Sequence, residues 1–164
     1  MLPVTSFSRI IFAGLLSASY LVCQKSDAFV GKWRLNLSRS QPKSGIGLGG
    51  SETIEWVPKG LRFHHEWTTA NGKHHLEVFT CVFDGKEHPM EREADSKHSK
   101  HTVVCKRIDE RTVEVETVHN SGVLTTRSRR SVSADGKRLE VTYFGVGDQQ
   151  TAIAMTADYD RQPR

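Results

Sequence analysis

The stretch from residue 113 to 144, VEVETVHNSGVLTTRSRRSVSADGKRLEVTYF, decides the fold. It holds two turn signals, Ser121-Gly122 and Asp135-Gly136, each between runs of alternating apolar and polar residues, the pattern of antiparallel hairpins. A turn sets the register, and the register decides which side chains share a face. About Ser121-Gly122, Glu116 faces Arg127 and Glu114 faces Arg129, opposite-charge pairs suited to a solvated surface. The other face carries Val113, Val115, Thr117, His119, Leu124, Thr126, Ser128 and Arg130. About Asp135-Gly136, Val132 faces Leu139, Arg130 lies beside Val141, and Ser128 faces Tyr143. The inner faces of the three strands agree.

Working outward, the short turn after Ile108 carries the same pattern upstream and predicts that Thr102, Val104, Lys106 and Ile108 point inward. Asn71-Gly72, taken as a two-residue loop, sets Trp67 opposite Leu76 and His65 opposite Val78. That register predicts an inner face of Phe63, His65, Trp67, Leu76 and Val78. Further short runs of period-two alternation, rich in Val, Thr, Phe and Tyr, read as strands near 31–37, 52–57, 61–69, 74–83, 101–108, 113–119, 123–133, 138–144 and 152–159. Residues 38–50 form a Gly and Ser-rich connection and residues 84–100 a long polar loop. No convincing amphipathic helix interrupts the series.

An inner face that mixes Val, Leu and Tyr with Thr, Ser, His, Lys and Arg is too polar for a dry sandwich core, where an unpaired charge is costly. It suits a small antiparallel up-and-down β-barrel of about 8–10 strands, whose interior holds one small ligand or packed side chains. Closure also removes exposed sheet edges.

Length allows one domain of this kind, since the chain has 164 residues. The first 28 residues have a different character. Arg9 precedes an apolar run from Ile10 to Val22, shorter than the roughly 20 residues a spanning helix needs, and Ser26 and Ala28 stand at the small-residue positions of an export cleavage site. The expected organisation is a signal peptide at 1–28 and a barrel domain at 29–164, exported to the periplasm or secreted, with no membrane span. Lipidation of Cys23 is the alternative, although Tyr20, Leu21 and Val22 fit a lipoprotein signal poorly. Cleavage after Ala28 takes the chain from 23 basic and 19 acidic residues to 21 and 18, a charge of +3 that is too small to argue for nucleic acid. It also leaves Cys81 and Cys105, an even pair in a compartment where disulfides persist. Both are expected on the outward face of successive strands, at a separation that a disulfide spans; two free thiols are the alternative.

The folded part opens FVGKWRLNLSRS, residues 29–40, and this resembles the start of the calycin group, the lipocalins and fatty-acid-binding proteins, whose first strand carries Gly-x-Trp. Phe29, Gly31, Trp33 and Leu35 carry the likeness. The chain is also similar to exported bacterial lipocalin-like proteins with Gly-x-Trp-x-Leu-Asn and a later Asp-Gly-Lys before a Pro, matched by Asp84, Gly85, Lys86 and Pro89. The resemblance implies a lipocalin-like barrel of unassigned role, with Gly31 and Trp33 as structural residues that close one end. It departs in the last strand, where fatty-acid-binding proteins carry Arg-x-Tyr toward the ligand carboxylate and this chain has Ala157 and Tyr159.

Other constellations have ordinary readings. His64-His65 and His74-His75 are adjacent on strands and point to opposite faces, and His98 with His101 lies in the polar loop without a third ligand, so no metal site and no cofactor is expected. The run RSRRS at 127–131 places Arg127 and Arg129 against glutamates and turns Arg130 inward. No nucleophile elbow, zinc helix or phosphate loop is present, so the chain is not expected to be an enzyme. The expected function is binding of a small hydrophobic or amphiphilic molecule, with an anionic head as one option, by Arg130, Tyr143, Lys106, His119, Trp67 and Tyr159. A non-liganded extracytoplasmic structural or interaction module, and less readily a barrel isomerase, are the competing readings.

Overall fold

The computed structural model describes residues 27–41, 49–69, 71–92, 101–119, 124–144 and 153–163. Residues 1–26 with Cys23, the loop residues Ser121 and Gly122, His98 and the side chain of His119 lie outside the described residues. Within them the chain is all-β. In order, β1 (Gly31–Leu35), β2 (Gly49–Val57), β3 (Gly60–Thr68), β4 (His74–Cys81), β5 (His88–Pro89), β6 (Glu91–Arg92), β7 (His101–Asp109), β8 (Thr112–His119), β9 (Leu124–Val132), β10 (Arg138–Phe144) and β11 (Ile153–Arg161) form one antiparallel sheet. Its order is β5-β7-β8-β9-β10-β11-β1-β2-β3-β4-β6, so long strands that follow one another in the chain lie side by side and β11 returns to β1. This is an up-and-down barrel that is nearly closed.

Closure across the remaining gap, between β4 and β7, uses a segment expected to be simple loop. His88 and Pro89 pair with Val103 and Thr102 of β7, while Glu91 and Arg92 pair with Val78 and Glu77 of β4. Between them Met90 donates its N–H to the His101 carbonyl at 2.9 Å and packs against the core. Two-residue pairings carry no run long enough to show period two, which hides them in the sequence. Cys81 of β4 and Cys105 of β7 join the same two edges by a disulfide, with Cα atoms 5.3 Å apart.

Two of the three turn-derived registers hold. Glu114 pairs with Arg129, Glu116 with Arg127, Val132 with Leu139, and Tyr143 with Ser128. The β3–β4 register is one residue off the expectation, with Trp67 opposite His75 and His65 opposite Glu77. Thr69 N–H donates to the Lys73 carbonyl and Gly72 N–H to the Thr69 carbonyl, and Gly72 adopts φ of 81°, so the turn has three residues and a left-handed glycine. One added residue flips β4. Phe79 and Cys81 are therefore buried inside, where Leu76 and Val78 were expected.

A similar correction applies to β7. Its pairing with β8 shifts between Arg107 and Asp109, leaving Ile108 as a bulge that is 45% exposed. The bulge reverses the expected face, so His101, Val103 and Cys105 are buried and Lys106 lies exposed opposite Glu114. Both cysteines thus point inward, not outward. The two strands flipped together, so the pair still meets.

One end of the barrel is plugged where the chain enters. Phe29 and Trp33 are buried, and the Trp33 indole Nε1 donates to the Phe29 carbonyl at 2.9 Å. Arg161, opposite Trp33 in register, lays its guanidinium over the indole at 4.1 Å and donates to the Val30 carbonyl at 2.8 Å. A Cβ on Gly31 would stand 2.8 Å from Arg161 Nη1, at a φ of 151° that side chains rarely adopt. The Gly-x-Trp spacing therefore leaves room for the arginine that covers the tryptophan.

Candidate functional site

A cavity of about 310 Å³ occupies the barrel interior, within the size range of small-molecule sites. Leu35, Trp67, Phe79, Val115, Met155 and Ala157 supply apolar wall, and Met90 reaches it from the strap between β4 and β7. Polar groups converge on it from facing strands: Arg130 and Ser128 of β9, Tyr143 of β10, Tyr159 of β11, and His65 and Glu77 of β3 and β4.

Arg130 is the centre of this arrangement. Its Nη2 donates to Glu52 Oε1 at 3.2 Å, its Nε reaches Glu52 Oε2 at 3.5 Å, and its Nη1 donates to Ser128 Oγ at 2.8 Å. The guanidinium lies 5.3 and 5.4 Å from the ring centroids of Phe63 and Phe79, which are themselves stacked. Burial works against a charge here, and the Glu52 carboxylate counters it, so the guanidinium stays ionised. Glu52 is fully buried and shares the inner face of β2 with Ile54.

The neighbouring groups are held neutral. Burial raises the Tyr143 phenol well above its ordinary value, with Arg130 opposing, and burial followed by the nearby Tyr143 raises Tyr159. Both hydroxyls keep their protons at neutral pH and remain donors. Burial lowers the His65 imidazole, against the pull of Glu52, and Arg130 adds to the lowering. Its Nε2 lies 3.4 Å from the Tyr159 hydroxyl. Trp67 stacks between His65 and His75, with centroids 4.8 and 4.9 Å away, and of these rings Trp67 and His65 line the cavity.

Of the residues singled out from sequence, Arg130, Tyr143, Trp67 and Tyr159 line this one cavity. Lys106 does not, because the β7 bulge sends it outside. His119 is placed in β8 opposite His101 and Leu124, and its side chain lies outside the described residues. Glu52 and Glu77 were not anticipated. Glu52 could have been found from β2, where Glu52 and Ile54 alternate with Ser51 and Thr53, but no turn pattern tied that strand to Arg130. Glu77 was assigned to the outer face by the one-residue register error. Among the described residues no group of three potential metal ligands forms, and no helix is long and apolar enough to cross a membrane.

No family model matches the chain, and no curated protein sequence matches it with significance. Solved structures do. The barrel is similar to a Schistosoma mansoni fatty-acid-binding protein in complex with arachidonic acid, with TM-score 0.53 and 17% identity over 83% of this chain and 97% of that one. It is similar to Echinococcus granulosus fatty-acid-binding protein 1, with TM-score 0.52 and 14% identity over 83% and 98% of the two chains. It is also similar to a point mutant of the fluorescent protein UnaG, with TM-score 0.51 and 14% identity over 84% and 98%. At these identities the likeness shows the fold alone, a β-barrel like that of the fatty-acid-binding proteins.

Proposed function

We propose that this chain is a binding protein that takes one small, largely apolar molecule into its barrel, and that it is exported as a lipocalin-like domain once residues 1–28 are removed. One observation carries the binding reading: a cavity of about 310 Å³ with mainly apolar walls on which Arg130, Tyr143, Tyr159 and His65 converge. A few fixed polar groups in an apolar enclosure orient a ligand, whereas a barrel serving as structure alone gains stability from filling that space. The fold likeness to fatty-acid-binding proteins supports a hydrophobic ligand. The leader, with Arg9, its short apolar run and the Ser26 and Ala28 positions, supports export to the periplasm or beyond.

Native mass spectrometry of protein purified from its own host tests the reading. A mass excess lost on denaturation, identified as a small apolar molecule, is the expected result. Protein that arrives empty and displaces no apolar dye from solution would remove the binding role.

A further inference from the structure

We propose that Glu52 sets the class of ligand: the barrel accepts an apolar molecule whose polar end is uncharged, a hydroxyl or carbonyl, and disfavours a carboxylate. The inference rests on the binding role above. Arg130 lines the cavity, yet its charge is already matched by Glu52, with side-chain exposures of 4% and 0%.

A ligand carboxylate has two ways to reach Arg130. It can join Glu52, which crowds two anions around one cation inside an apolar enclosure, or displace it, which leaves a fully buried carboxylate without its partner. Both are costly, because an uncompensated buried charge is among the most destabilising features a protein can carry. Glu77 on the cavity wall adds a further acid. Arg127 also borders the cavity, but its guanidinium lies over the Phe144 ring at 4.5 Å.

An uncharged acceptor meets neither penalty. Each terminal nitrogen of a guanidinium carries two N–H groups, and Arg130 Nη1 and Nη2 each direct one of theirs to Ser128 and Glu52, so both retain another for an acceptor. The protonated hydroxyl of Tyr143 offers a further donor beside it, and the Tyr159 hydroxyl, 3.4 Å from His65 Nε2, a second polar contact. The same hydroxyls accept from a ligand hydroxyl.

The test compares decan-1-ol, decan-2-one, decanoate and decan-1-amine on delipidated protein at about pH 8, where the last two are charged. Calorimetry should show the alcohol and the ketone binding about ten-fold or more tighter than either charged probe. Glu52→Gln, which keeps the shape and removes the anion, should raise decanoate affinity about ten-fold relative to the alcohol measured on the same variant. Decanoate or the amine binding as tightly as the alcohol to the native protein overturns the inference, as does a folded Glu52→Gln variant with decanoate affinity unchanged relative to the alcohol. Should that variant not fold, methyl decanoate against decanoate on the native protein decides, and parity between them is the overturning result. Failure of every probe to bind would count against the small-molecule role itself, and with it this inference.

Discussion

Arg130 on β9 and Glu52 on β2 meet across the barrel interior, Nη2 to Oε1 at 3.2 Å, although the two strands are separated by β10, β11 and β1 around the wall. The contact crosses the lumen. Breaking such a pair strands a charge, whereas removing both partners together does not. Arg130→Met or Glu52→Ala alone is expected to cost about 3–5 kcal/mol of stability, and Arg130→Met with Glu52→Leu far less. Urea denaturation of the three variants checks this. Additive losses in the double variant would show that the two side chains contribute independently.

The disulfide staples the two sheet edges that backbone pairing leaves nearly unjoined. Cys81 and Cys105 are 24 residues apart, and a loop of that length corresponds to about 3 kcal/mol in the chain-entropy model. Cys81→Ala with Cys105→Ala is expected to lower stability by about 2–4 kcal/mol and to raise amide exchange in β4 and β7 before the other strands. Exchange that rises evenly over the barrel would argue against a local staple.

His65 makes stability depend on pH in a defined direction. Its folded pKa lies below the unfolded value of about 6.5, so the unfolded chain takes up the proton first. The contribution is complete above about pH 6.5 and is lost as pH falls toward the folded value. Arg130, Glu52, Glu66 and Glu77 are the charges acting on the imidazole. Urea midpoints should fall between about pH 7.5 and 5.5, and His65→Gln should flatten that slope. An unchanged slope in a folded His65→Gln protein would assign the pH dependence elsewhere.

Asp27 and Ala28, ahead of Phe29, make contacts with the barrel base. Asp27 Oδ2 accepts from Arg107 Nη2 at 2.8 Å, its Oδ1 accepts the Phe29 N–H at 3.0 Å, and the Ala28 carbonyl accepts from Arg161. A chain beginning at Asp27 should therefore be more stable than one beginning at Phe29, by about 1 kcal/mol for a part-buried pair with its hydrogen bonds. Thermal unfolding of the two forms measures it. Equal midpoints would show that a chain cut after Ala28 loses nothing by it.

The barrel was legible because its signals are local. Asp135-Gly136 and Ser121-Gly122 sit beside strands whose charges pair in one register only, Glu114 with Arg129 and Glu116 with Arg127, so the inward course of Arg130 and Tyr143 follows from a few neighbouring residues. Asn71-Gly72 offered a similar turn signal without such a cross-check. Nothing in the residues distinguishes a two-residue turn from a three-residue turn with a left-handed glycine, and this hid Glu77 and Phe79. The bulge at Ile108 is equally silent, and it moved Lys106 out of the site.

The sequence by itself therefore determined the all-β class and the inward course of β9 and β10, because period-two alternation and turn chemistry act over a handful of residues. Only the tertiary structure decided what Arg130 meets. Its partner lies 78 positions earlier in the chain, on a strand that reaches it only when the sheet curls around and β11 pairs with β1. Whether an inward arginine offers its charge to a ligand or commits it to Glu52 depends on that closure, and no local pattern encodes the distance across a lumen.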